Sequence, residues 1–133
     1  MPTVLFVCEG NRFRSQIAEA FFNAWAPPGW TAVSAGTNPK ASLHPKVVEL
    51  MDEMGINLSR AKPKAIDLEV ARSAARAVAM CSLASCPPEV GARAEHWGVV
   101  NPADVPESSY PAVRDEIAER VKALIREIAR AKG

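Results

Sequence analysis

Val4-Leu5-Phe6-Val7-Cys8-Glu9-Gly10-Asn11-Arg12-Phe13-Arg14-Ser15 changes character twice along its length. It begins as an unbroken apolar run, the pattern of a strand buried on both faces of a parallel sheet. At Cys8 it becomes a polar loop containing Gly10 and Asn11, residue types that accept left-handed backbone angles. From Ser15 onward Ile17, Ala18, Phe21, Phe22 and Trp25 recur at helical spacing until Pro27-Pro28-Gly29 ends the pattern. A first strand therefore runs through a short loop directly into a first helix.

The same alternation continues downstream. Trp30 to Ala35 reads as a second strand ended by Gly36, and His44-Pro45 opens a helix through Met54 with Gly55 as its stop. Asp67 is the expected N-cap of a short helix reaching Ala75, and Arg76 to Met80 reads as a third strand ending at Cys81. A fourth strand is expected over Ala94 to Trp97. In the closing helix Val113, Ile117, Val121, Leu124, Ile125 and Ile128 share one face. Strands alternating with helices imply a parallel sheet with helices on both faces, because right-handed crossovers place them there. The expected architecture is α/β, a single three-layer domain over residues 1–133. Ligands of such sheets bind beyond the carboxyl ends of the strands, and both Cys8 and Cys81 follow such an end. The topology alone can bring these two sulfurs to one rim.

Composition narrows the function. The 133 residues suit one core, with 48% apolar and 23% charged residues and a formal net charge of +1. Interspersed, balanced charge offers no basic face for nucleic acid or an anionic membrane surface. The apolar run at the N-terminus lacks a basic flank and is too short for a signal peptide or a membrane span, so a cytoplasmic protein is expected. Three cysteines make an odd set, which argues against a permanent disulfide framework and for reactive or transient sulfur chemistry.

Cys8 to Ser15 supplies a site for that chemistry. A Cys-x5-Arg-Ser segment between strand and helix can wrap a tetrahedral oxyanion. Backbone N–H groups of Glu9, Gly10, Asn11, Arg12, Phe13, Arg14 and Ser15 would turn inward, with the helix dipole behind them. Arg14 can grip two oxygens at once, the same positive field favours a Cys8 thiolate, and Ser15 can donate to the sulfur. A plain packing role for Cys8, common for buried cysteine, leaves the Gly/Asn/Arg loop unexplained. For Cys81 and Cys86 the alternative is one core thiol and one incidental loop thiol. A zinc site built from the cysteines with His44 or His96 lacks the usual close ligand doublets, so no metal is expected. His44 reads as a helix-entry residue and His96 as a packed strand-end residue.

The pattern Cys-x-Gly-Asn-x-x-Arg-Ser-Gln-x-Ala-Glu over residues 8–19 resembles the active-site segment of the low-molecular-weight protein tyrosine phosphatase superfamily, and especially of its thioredoxin-coupled arsenate reductases. Ser34-Ala35-Gly36, Pro45 through Ile56, Glu95-His96-Trp97-Gly98 and Val113 through Ile117 extend the similarity. The resemblance implies a four-stranded parallel sheet of flavodoxin-like type, the low-molecular-weight phosphatase fold, with Asn11, Ser34 and Glu19 supporting the loop. It implies arsenate reduction by attack of Cys8, with a disulfide passing from Cys8–Cys81 to Cys81–Cys86 and thioredoxin restoring the thiols. No cofactor is expected, and a monomer is. The alternative is phosphomonoester hydrolysis through a cysteinyl-phosphate, which begins with the same attack but needs no second thiol. A non-catalytic oxyanion-binding module is a further alternative.

The chain departs from the family pattern in several places. Four residues separate Cys81 from Cys86 where many of the reductases have six. A disulfide wants Cα atoms about 4.4 to 6.8 Å apart, whereas residues five apart on a straight helix lie about 8 Å apart, so this segment must bend near Pro87-Pro88. Asn101 stands where the family's general-acid Asp precedes Pro, and an amide cannot donate a proton in that way. Asp104, three residues on, is the expected substitute acid, with water as the alternative proton source. Ala103 lies where tyrosine phosphatases carry aromatics, which with Asn101 favours the reductase. Some of these reductases hold potassium with the equivalents of Asn11, Glu19 and Ser34 plus a distant Asp. Lys64 falls near that last position, and its ammonium is expected to take the cation's place. Glu9 puts a carboxylate in the loop, with Arg12 as its expected ion-pair partner.

Overall fold

The computed structural model describes residues 2–80, 88–91 and 93–132, so Cys81 and Cys86 lie outside the described residues. Strands β1 (Thr3–Cys8), β2 (Thr31–Gly36), β3 (Arg76–Ala79) and β4 (Glu95–His96) form one sheet in the order β2-β1-β3-β4, with every pairing parallel. The two crossovers beside β1 leave it central, which is why its apolar run is unbroken.

Alternation along β1 divides its side chains between two cores. Val4, Phe6 and Cys8 belong to the larger one, packed under α1 (Arg14–Trp25), α2 (Pro45–Asp52) and α5 (Tyr110–Lys132). Leu5 and Val7 face a smaller core under α3 (Leu68–Ser73) and α4 (Pro88–Gly91). Phe6, Phe21, Phe22 and Ile117 are fully buried, and each such side chain contributes roughly 1.5–3 kcal/mol relative to exposure. Phe6 meets Phe22 edge-on at 6.2 Å between centroids and Trp97 at 5.6 Å, which joins β1, α1 and the end of β4.

Two arginines fasten helix ends to the rest of the chain by satisfying carbonyls that have no partner within the helix. Arg114 Nη1 on α5 donates to Leu50 O at 3.0 Å and to Glu53 Oε1 at 2.7 Å, tying α5 to the end of α2. Arg93 donates to Ala71 O at 2.6 Å and Ala74 O at 2.5 Å, closing the end of α3.

The expected elements are present with altered limits. β4 has two residues instead of four, and His96 in it is exposed, a correction to its reading as a packed residue. An edge strand this short leaves its outer face open. α2 ends at Asp52, and Gly55 at φ 77° makes the turn that follows. The last helix begins at Tyr110, after a 3-10 turn over Glu107–Ser109. α4 was not expected, although Pro88 is a suitable first residue for a helix.

Candidate oxyanion site

The loop between β1 and α1 is held from outside by its own carbonyls. Cys8 O, Glu9 O, Gly10 O and Arg12 O accept from the N–H groups of Thr37, Asn38, Lys40 and His44, at 3.2, 2.8, 3.0 and 3.1 Å. With its carbonyls engaged on that side, the loop turns its N–H groups the other way. Among the described residues, none of the amides from Glu9 to Phe13 finds an acceptor. A row of unpaired N–H groups at the start of a twelve-residue helix is an anion cradle. Gly36 lies directly behind it: a Cβ there would stand 2.7 Å from Glu9 O and 3.0 Å from Asn11 Cβ.

Asn11 holds the curve. It has φ 50°, a left-handed angle that asparagine tolerates better than most residues, and it is completely buried. Its Oδ1 accepts from Lys64 N at 2.8 Å and Gln16 Nε2 at 3.1 Å, while its Nδ2 donates to Ser15 Oγ at 2.8 Å. Since that bond makes Ser15 Oγ an acceptor, its own hydrogen is available to the Cys8 sulfur 2.9 Å away. The buried sulfur therefore has a positioned donor that stabilises negative charge on it.

Arg14 is also buried, and one of its nitrogens is occupied. Nη1 donates to Met80 O and, at 3.2 Å, to Val99 O. The Nε/Nη2 edge has no acceptor among the described residues and is the edge with which a guanidinium grips two oxygens. Cys8, Glu9, Gly10, Arg12, Phe13 and Arg14 line a cleft of about 370 Å³. Asn11 and Ser15 lie behind it as support.

Lys40, His44 and Tyr110, which sequence reasoning did not assign to the site, complete the cleft together with Asn101, Pro102 and Ala103 of the expected acid loop. Phe13, His44 and Tyr110 form a mutual edge-to-face cluster with centroids 5.1 to 5.4 Å apart. The aromatic wall thus comes from three other elements, not from the loop beside Asn101. His44 is also the helix-entry residue expected, its Nδ1 accepting from Lys46 N at 3.1 Å. Burial and then the Arg12 guanidinium lower its pKa, with Lys46 adding to the fall and Glu107 opposing it.

Other assignments stand apart from the cleft. Asp104 is exposed at the end of the 3-10 turn Pro102–Asp104 and does not line it, because Asn101 starts that turn by capping Ala103 N at 3.0 Å. Arg12 makes no ion pair with Glu9, and its buried Nε has no partner among the described residues. Ser34 reaches Glu19 and not the loop, its Oγ 2.5 Å from Glu19 Oε1. Lys64 Nζ lies 3.6 Å from the same carboxylate oxygen, an ammonium beside the Glu19–Ser34 pair as expected.

A buried cysteine beneath unpaired amides and a guanidinium, at the carboxyl rim of a parallel sheet, defines a cysteine-based oxyanion-handling α/β protein. The family model described as low molecular weight phosphotyrosine protein phosphatase matches residues 3–133. The chain belongs to that family. An arsenate reductase of Staphylococcus aureus is 37% identical over 118 residues, covering 86% of this chain and 89% of that one. A solved arsenate reductase in the phosphate binding state superposes with a TM-score of 0.83 at 29% identity, covering 96% of this chain and 99% of the other. The thioredoxin-dependent arsenate reductase of Corynebacterium glutamicum gives a TM-score of 0.83 at 31% identity, covering 98% of this chain and 63% of that one.

Proposed function

We propose that this chain is an arsenate reductase. The Cys8 thiolate attacks arsenic held by the loop amides and Arg14, and a protonated arsenate oxygen departs as water. The Cys81 thiolate then attacks Cys8 sulfur, the S–As bond pair stays on arsenic, and arsenite leaves behind a Cys8–Cys81 disulfide. Attack by Cys86 on Cys81 frees Cys8, and thioredoxin reduces the resulting Cys81–Cys86 disulfide. Two thiols are oxidised as arsenic gains two electrons, so the step balances.

The observation that carries this reading is the register of β1 with β3. Met80 N donates to Val7 O at 2.8 Å, and Met80 O accepts from Arg14, so Met80, which precedes Cys81 in the sequence, is held against the residue before Cys8 and against the arginine of the loop. The relatives named arsenate reductases, one of them thioredoxin-dependent, support the substrate and the electron donor. Incubating the reduced protein with arsenate and mapping its disulfides by mass spectrometry tests the order of the relay. Cys86→Ser should allow one turnover at most and accumulate the Cys8–Cys81 bond; sustained thioredoxin-driven turnover by that variant would end the scheme.

A second reading is favoured by the aromatic wall of Phe13, His44 and Tyr110, which suits an aryl phosphate as well as a bare oxyanion. Hydrolysis of para-nitrophenyl phosphate without any reduction of arsenate would establish a phosphatase in place of the reductase.

A further inference from the structure

The hydrogen-bond roles on the wall facing the loop can be worked out from the chain alone. His44 Nδ1 lies 3.1 Å from Lys46 N, a backbone group that only donates. Nδ1 must therefore carry a lone pair, and the single proton of the neutral ring sits on Nε2. Nε2 is 3.4 Å from Tyr110 Oη, so the imidazole donates and the phenol oxygen accepts. The phenol's own hydrogen is thereby released to point elsewhere. Tyr110 is 7% exposed, and Phe13 and His44 pack against its ring with centroids 5.1 and 5.2 Å away. No acceptor for that hydrogen exists among the described residues, yet Tyr110 lines the same cleft as Cys8 and Arg14. The surroundings maintain the arrangement. Burial first, then Arg12 and Lys46 against an opposing Glu107, disfavours a second proton on the ring.

We propose that Tyr110 donates a hydrogen bond to the bound tetrahedral oxyanion, at an oxygen turned away from the Cys8 loop, and that His44 is the positioning residue that aims the phenol's hydrogen into the cleft. No proton is transferred in this role. The hydrogen bond strengthens as negative charge builds on the outward oxygen during sulfur attack. This deepens the reading of the site as one for arsenate, and it requires only that a tetrahedral anion bind there.

The test is protection of Cys8 by inorganic phosphate against iodoacetamide, read by peptide mass spectrometry on the full chain, because it needs no turnover. Tyr110→Phe keeps the ring and should raise the half-protecting phosphate concentration about tenfold, the size of one hydrogen bond to a charged group. His44→Ser retains an acceptor for Lys46 N at the helix start but is too short to reach the Tyr110 oxygen, and should act in the same direction. The double variant should be no worse than Tyr110→Phe, since both remove one interaction. Wild-type protection in Tyr110→Phe, or two effects that multiply in the double variant, would overturn the proposal. If arsenate is never reduced but protection weakens as described, the reductase reading fails and this one stands; reduction with unaltered protection gives the reverse. Should Tyr110→Phe not fold, nitrogen NMR of the wild-type ring decides, with protonated Nε2 supporting the assignment and protonated Nδ1 refuting it.

Discussion

His44 occupies three relationships at once: it caps α2, faces Tyr110 and lies close to Arg12. A proton on its ring would put an N–H against the N–H of Lys46 and a second charge near Arg12. The folded protein therefore resists protonation of His44 below the ordinary value of 6.5, as burial also does. An unfolded chain does not. The unfolded state binds more protons once the pH falls below about 6.5, so the stability present above that pH is lost progressively down to the lowered folded value. The melting temperature of the wild type relative to His44→Asn, which keeps the cap, should be constant above pH 7 and fall steadily once the pH drops below about 6.5. Parallel curves over the whole range would show that His44 does not titrate in this way. Asn11 illustrates the same concentration of roles, since one side chain sets a left-handed angle and makes three hydrogen bonds that fix the loop.

At the level of elements, the end of β2 and the loop after β1 touch with no room between them. Gly36→Ala places a methyl group 2.7 Å from Glu9 O, a backbone atom that cannot swing aside. Overpacking of this sort costs about 1–3 kcal/mol, and the displaced loop should also lose its grip on an anion. Urea unfolding together with phosphate protection of Cys8 reads both effects, and a variant normal in both would mean that the loop yields freely. The strand, loop and helix from Thr3 to Trp25 were legible because their hydrophobic periods change where the backbone does, and Cys8, Arg14 and Ser15 come together as their spacing implied. The scaffold over residues 37–44 was not legible. It holds the loop through backbone N–H groups, which any sequence supplies. α4 was missed because four residues are too few to display a period. Tyr110 was missed because only the packing of α5 brings it to a loop nearly a hundred positions earlier in the chain.

The whole molecule is organised around β1, whose alternate side chains enter both cores. Neither core can melt while the other keeps its central strand. Leu5→Ala on one face and Phe6→Ala on the other should each cost about 2–5 kcal/mol. For both variants the urea transitions followed by tryptophan fluorescence and by far-ultraviolet circular dichroism should superimpose. Separate transitions would reveal independently folding units and defeat the picture of one domain.

Arg14 extends this integration to the rim. Its guanidinium has three nitrogens in a rigid plane, and one of them already secures the chain at Met80 and Val99. Lysine, with one nitrogen, would have to choose between knitting those segments together and greeting the substrate. Planarity, more than charge, lets a single side chain be keystone and receptor at once, so the geometry of the opening and its affinity for anions are inherited together.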